Sequence, residues 1–137
     1  MPATHLLDTS IYSQPLKRNP RLSALKRWDA LGDARVVVSS ICEAEILFGI
    51  EKNAAMKQAA AFETTLRGRL TILPICSNVA RAYAQLRADC ESKGQTIGDL
   101  DLLIAATAHA HGLTVATLNL RHFGMIDGIT VEDWSQP

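Results

Sequence analysis

The chain has 137 residues, of which 47% are hydrophobic and 20% charged, with 14 basic residues against 14 acidic ones. That length and apolar fraction suit one domain, residues 1–137, able to bury a core of its own, and they argue against a disordered or linker-rich chain. A formal charge of zero excludes nucleic-acid binding driven by an overall basic field, so any such binding must be local.

The elements alternate. "THLLD" (4–8) predicts a short buried strand closed by an acid. Asn19 can cap a helix with Pro20 at its first position, and Leu22, Leu25, Trp28 and Leu31 recur at helical spacing before Gly32. "VVVSS" (36–40) is β-branched and predicts a second strand, after which "SICEAEILFGIEKN" starts a helix at Ser40. "AAMKQAAAFETTLRG" predicts a further helix ending near Gly68, and "LTILPI" (70–75) a third strand. "SNVARAYAQLRADCESKG" places Val79, Tyr83, Leu86 and Cys90 on one helical face, with Ser77 before it and Gly94 after it. "DLDLLIAATAHAHG" is the last long helix, with Gly112 as terminator; "LTVATLN" (113–119) and "GITVEDW" (128–134) complete the strands.

Strands separated by helices imply an α/β fold, a three-layer α/β/α arrangement around a central parallel sheet of four to five strands. In such sheets ligands collect outside the carboxyl ends of the strands. The acids lie where that edge is expected: Asp8 closes the first strand, Glu43 and Glu45 open the helix after the second, Asp99 and Asp101 open the last long helix, and Asn119 ends the fourth strand. A cluster of this kind repels itself unless a cation compensates it, and hard oxygen ligands suit Mg2+ or Mn2+.

Some of these acids also have a plainer explanation to be weighed. Asp8 can cap a short helix begun at Thr9 or Ser10, yet an acid at the end of a buried strand is expensive without a partner. Glu43 fits a capping box with Ser40 (Ser-x-x-Glu), and Asp99 fits a cap after Gly98. Glu45, inside an apolar segment, either turns outward or serves a site, and Asp101, in the first turn near the positive helix end, can be both charged and available, while Asp8 is favoured as a metal ligand.

Other chemistries find little support. His5, His109, His111 and His122 lack metal-site spacing, and no nucleophile sits in a G-x-S-x-G elbow. G-x-G-x-x-G and G-x-x-x-x-G-K-[ST] are absent, so no nucleotide cofactor is expected. A phosphatase of the haloacid-dehalogenase kind needs a second acid two residues after Asp8, where Ser10 stands, and a receiver domain needs adjacent acids after its first strand. Three cysteines (Cys42, Cys76, Cys90) without a C-x-x-C pair, and an opening "MPATHLLDTS" without a signal-peptide pattern, predict a reduced, cytoplasmic protein. No apolar run approaches the roughly 18–20 residues that span a bilayer, so no membrane association is expected. The basic clusters at Lys17, Arg18 and Arg21, at Lys26 and Arg27, and at Arg67 and Arg69 read as solvated faces.

"LLDTS", "SSICEAEILFG", "IGDLDLLIAATAHAHGL" and "TLNLRHF", in this order and followed by "VEDW", resemble the PIN-domain family, and within it the VapC and FitB toxins of bacterial toxin–antitoxin pairs. The resemblance spans nearly the whole chain. It implies a metal-dependent endoribonuclease with Asp8, Glu45 and Asp101 as acidic ligands, Asn119 at the catalytic site, and Thr117 and Arg121 near the substrate RNA. It further implies a homodimer and a cognate antitoxin that covers the site, for which exposed apolar residues such as Leu22, Leu25 or Phe48 are candidates. One position departs from the pattern: His122 stands where family members often carry a further acid, which leaves open one ion or two, with Asp99 or a water filling the gap. The same departure sustains an alternative, a PIN-like module without turnover that acts only through a protein partner.

Overall fold

Runs of Val, Ile, Leu and Thr form five short strands in the computed structural model, which describes residues 2–137. They are β1 (His5–Leu7), β2 (Val36–Ser39), β3 (Thr71–Leu73), β4 (Thr114–Thr117) and β5 (Thr130–Asp133). Every pairing is parallel, in the order β3-β2-β1-β4-β5, with His5 opposite both Val36 and Thr114 and with Thr114 opposite Thr130. Leu6, Leu7, Val36, Val38, Val115 and Ala116 are almost wholly buried. That explains their unbroken apolar pattern, because a parallel strand covered on both faces has no solvent side to mark with alternation.

The helices are α1 (Thr9–Tyr12), α2 (Leu22–Leu31), α3 (Ser40–Asn53), α4 (Met56–Ala61), α5 (Ser77–Ser92), α6 (Asp99–His111) and α7 (Leu120–Phe123). They flank the sheet, with α5 packed along α6. Short 3-10 turns span Gln14–Leu16 and Asp33–Arg35, and α4 runs on into a π turn at Phe62–Leu66. The helix α6 is apolar nearly all round, with Leu102, Ile104, Ala105, Ala106, Thr107 and Ala108 buried, and it stops at Gly112 in the left-handed region (φ 64) as its sequence predicts.

Several helix starts differ from expectation. The helix α2 begins at Leu22, with Arg21 rather than Asn19 at the N-cap position, because the buried Gln14 side chain accepts a 2.7 Å hydrogen bond from the Arg21 N–H and holds the approach to the helix extended. Leu22, read as part of the buried face, is 62% exposed, while Ala24 and Trp28 are buried. In α3 the cap is Ser39, whose hydroxyl accepts from the Ile41 N–H; this replaces the Ser40–Glu43 capping box. Gly98, not Asp99, stands at the cap position of α6, and Cys76, not Ser77, at that of α5. Among the described residues no helix is long and apolar enough to cross a membrane.

The strand order reverses at β1. From β1 the chain runs outward to β2 and β3, then crosses back to β4 on the other side of β1 and continues outward to β5, so the crevice beyond the carboxyl ends of β1 and β4 is the switch point of the sheet. Asp8 follows β1 there, and Thr117 ends β4 beside it.

Candidate active site

Asp8 is only 3% exposed, and three donors converge on it. Its Oδ1 accepts from the Ser10 hydroxyl (2.6 Å) and the Ile11 N–H (3.1 Å), which makes it the cap of α1, while Oδ2 accepts from the Thr117 hydroxyl (2.5 Å). A carboxylate offers about four lone-pair directions, so roughly one remains for a further partner. Capping and site membership are therefore compatible in this residue. Burial raises its pKa above the ordinary carboxylate value; the Ser10, Thr117 and Ile11 hydrogen bonds oppose that rise, and the negative charge of Asp101 adds to it.

The hydroxyls tie the two strand ends together. Ser10 donates to Asp8 and accepts from the Leu118 N–H (3.0 Å), and Thr117 donates to Asp8 and accepts from the Asn119 N–H (2.8 Å). Thr117, expected at the substrate, has no exposed surface. It stands behind Asp8 and orients it. Asn119 and Arg121 are exposed, and the Asn119 backbone N–H is already committed to Thr117.

Glu45 lies half-buried on α3, where its Oε1 accepts a 2.6 Å hydrogen bond from the Thr9 hydroxyl. Cys42, one turn back on the same helix, is wholly buried and feels the charges of both Asp8 and Glu45. Burial is the main reason its thiol is pushed up to about 12, which keeps it protonated and chemically quiet. Asp101, in the first turn of α6, is 32% exposed in its side chain, with His122 Nδ1 3.5 Å from its Oδ2. Asp99 turns away from this group: the Tyr83 hydroxyl donates to it at 2.9 Å and Arg87 lies 3.2 Å from it. It is thus held by α5 and does not fill a gap beside Asp101.

Asp101 is near enough to Asp8 for its charge to be felt there, His122 stands beside Asp101, and Glu45 is held by Thr9, the residue after Asp8. Among the described residues no three His, Cys, Asp or Glu side chains form a ready-made metal cage. Mg2+ needs none, since it keeps several of its waters and is commonly held by one or two carboxylates together with substrate phosphates. The donor set fits such an ion: a buried acid with a free lone pair and a second acid whose charge raises the first. The positioning roles of Thr9 and Ser10 were not expected. Their only signal is that two hydroxyls follow Asp8 directly, a pattern that reads equally well as a helix start.

A model of the PIN domain matches residues 5–127. The chain belongs to the PIN-domain family. Among PIN-domain relatives, the protein named tRNA(fMet)-specific endonuclease VapC from Salmonella typhimurium is 34% identical over 129 residues, covering 94% of this chain and 96% of that one. Toxin FitB from Neisseria gonorrhoeae is 33% identical over 135 residues, covering 94% and 97%. Of solved PIN-domain structures, VapBC2 from Rickettsia felis bound to a DNA fragment from its promoter superposes with a TM-score of 0.86 at 29% identity, covering 96% of this chain and 98% of that one. DNA-bound VapBC from Salmonella typhimurium gives 0.84 at 34% identity, with the same coverage.

Proposed function

We propose that this PIN domain is a metal-dependent endoribonuclease of the VapC kind, the toxin of a toxin–antitoxin pair. The observation that carries the reading is Asp8, a buried acid at the switch point of the sheet with its pKa raised by burial and by Asp101, a placement that costs stability unless a cation answers it. Relatives that carry ribonuclease names at about one-third identity over nearly the whole chain support it.

Asp8 and Asp101 would hold the ion, with Glu45 joining through a bound water. A divalent ion, Mg2+ or Mn2+, supplies polarisation of a phosphate oxygen and a lowered pKa for water. Ser10, Thr117 and the Ile11 N–H hold Asp8 in one orientation, so no reorganisation is needed at the moment of reaction. Thr9 occupies Oε1 of Glu45 and leaves Oε2 to accept the proton of the attacking water, as the water oxygen bonds to phosphorus and the opposite P–O bond breaks. The side chains of Asn119 and Arg121, both exposed, contact phosphate oxygens of the RNA.

The solved relatives include VapBC and FitAB complexes, which supports a protein antitoxin that covers the site. Phe48, 65% exposed, and Leu22 are open to such contacts, whereas Leu25 packs against the core. A homodimer and a cytoplasmic location complete the proposal. A second reading, binding without turnover, has one observation in its favour: His122 Nδ1 lies 3.5 Å from Oδ2 of Asp101, so that acid already has a protein neighbour.

One experiment separates the two. Purified protein is incubated with tRNA, initiator tRNA first, in Mg2+, in Mn2+ and in EDTA. The nuclease reading expects cleavage with metal only, reduced at least about 100-fold in Asp8→Asn and in Asp101→Asn. Absence of metal-dependent cleavage in the unmodified protein, freed of any antitoxin, would leave the binding module.

A further inference from the structure

Beside the acids runs a groove that the catalytic reading leaves unused. A cavity of about 510 Å3 is lined by Thr9 and Glu45 together with Ile46 and Ile50 of α3. A second, of about 540 Å3, reaches Lys57 and Ala61. The two share Leu16, Lys17, Arg18 and Gln58, so they form one continuous depression between the first 3-10 turn and the segment from α3 to α4. From Glu45 to Asn53 the first cavity follows α3 for about 12 Å.

The charge along this groove is uneven. Lys17, Arg18 and Lys57 are exposed, and among the described residues none of their three side chains has an ion-pair or hydrogen-bond partner. Four basic groups elsewhere, Arg67, Arg69, Arg87 and Lys93, are paired with carboxylates, whereas Lys26, Arg81 and Arg121 are exposed without an ion pair among the described residues but do not line the groove. Glu45 is the only carboxylate among the described residues that line the two cavities. Three unanswered cations in a concave track favour a polyanion, because a concave low-dielectric wall focuses their field. Phosphate also matches the amides of Asn19, Asn53 and Gln58, which add neutral donors along the same wall.

We infer that this groove is the track by which a single strand of RNA runs away from the cutting site, its phosphates gripped by Lys17, Arg18 and Lys57. The inference rests on the nuclease reading for the identity of the polyanion. No aromatic side chain lines the groove among the described residues, so the grip follows the backbone and does not stack on bases. Base preference then has to arise elsewhere on the molecule.

The test is a binding measurement in EDTA, where nothing is cut. A fluorescently labelled single-stranded RNA is titrated with the wild-type protein, with the triple variant Lys17→Ala/Arg18→Ala/Lys57→Ala, and with the control Lys26→Ala/Arg81→Ala, which removes exposed cations away from the groove. The triple variant is expected to bind at least about tenfold more weakly near 0.1 M salt. Its slope of log affinity against log salt should be shallower by roughly 2, since each single-strand phosphate contact contributes about 0.7. The control should keep the wild-type slope. Unchanged affinity and slope in the triple variant would overturn the inference, as would unchanged RNA binding accompanied by a changed sedimentation coefficient, which would make the groove a contact between copies of the chain. Because this readout needs no turnover, a wild-type protein that binds RNA through the groove but fails to cut it with Mn2+ would sink the nuclease reading and leave the groove standing.

Discussion

Asp8 carries two burdens that a single carboxylate rarely combines. It caps α1, and it sits buried beside the charge of Asp101. Its folded pKa lies above the unfolded value, so the folded protein retains a proton that the unfolded chain gives up over that interval. Stability from this group is therefore greatest below the ordinary carboxylate value, falls as pH rises through the folded value, and stays lower above it. Asp8→Asn keeps an oxygen for the Ile11 N–H and the Ser10 hydroxyl and presents its amide to Thr117, without the charge. Urea unfolding in EDTA should find the variant more stable than wild type at neutral pH and no more stable in acid. Added Mn2+ should then raise the wild-type midpoint and leave that of the variant unchanged. A wild-type protein at least as stable as the variant in EDTA at neutral pH would show that burial of this charge costs nothing.

At the scale of elements, what the sequence made legible depended on how local the cause was. Gly112 ends α6 because its own backbone enters the left-handed region, a local fact that a glycine after an apolar run announces. Asp8, Glu45 and Asp101 stand out for a similar reason, as acids in segments whose neighbours are apolar, and their joint role at one site is the proposal made above. The start of α2 was not, since the Gln14 side chain sets it from seven residues away. The far end of α2 depends on contacts more distant still. Trp28 Nε1 donates to Asp33 at 2.8 Å, Arg69 donates to the same carboxylate at 2.9 Å, and the Arg69 guanidinium lies 4.4 Å from the centre of the Trp28 ring. Partial burial pushes the Asp33 carboxyl up, but the Arg69 and Trp28 hydrogen bonds outweigh it and hold the pKa below the usual value. Asp33→Ala should cost about 1–2 kcal/mol at neutral pH, nearly all from the lost acceptor of Trp28, because the Arg69 pair is screened by solvent. A depressed carboxylate stabilises above its unfolded pKa and loses that contribution as pH falls through the folded one. The difference between wild type and variant in urea should accordingly be full at pH 7 and shrink below about pH 4; a difference constant down to pH 2 would rule out the linkage.

For the molecule as a whole, the open question is what keeps β5, an edge strand, attached. The hydrophobic pattern of "GITVEDW" predicted a strand through Trp134, but the strand ends at Asp133 and Trp134 does something else. Its ring is 1% exposed and lies 5.8 Å from the His5 ring, its Nε1 donates to Glu132 at 3.1 Å, and its backbone N–H donates to the Thr117 carbonyl. From the opposite side, Ser23 donates to the Trp134 carbonyl, Arg21 to that of Ser135 and Arg27 to that of Pro137. The C-terminal residues thus strap α2 to the sheet and reach the same Thr117 that orients Asp8. Truncating the ring should be felt at both places. Trp134→Ala should cost about 3–5 kcal/mol in urea unfolding, as expected for a large buried aromatic whose cavity cannot fully collapse. Trp134→Phe, which retains most of the buried ring and loses one hydrogen bond, should recover the greater part of that loss. Measured well below the melting point, RNA cleavage by Trp134→Ala should fall further than cleavage by Leu22→Ala, a change at an exposed position of α2. Equal activity in those two folded variants would mean that the strap stabilises the sheet without reaching the acids.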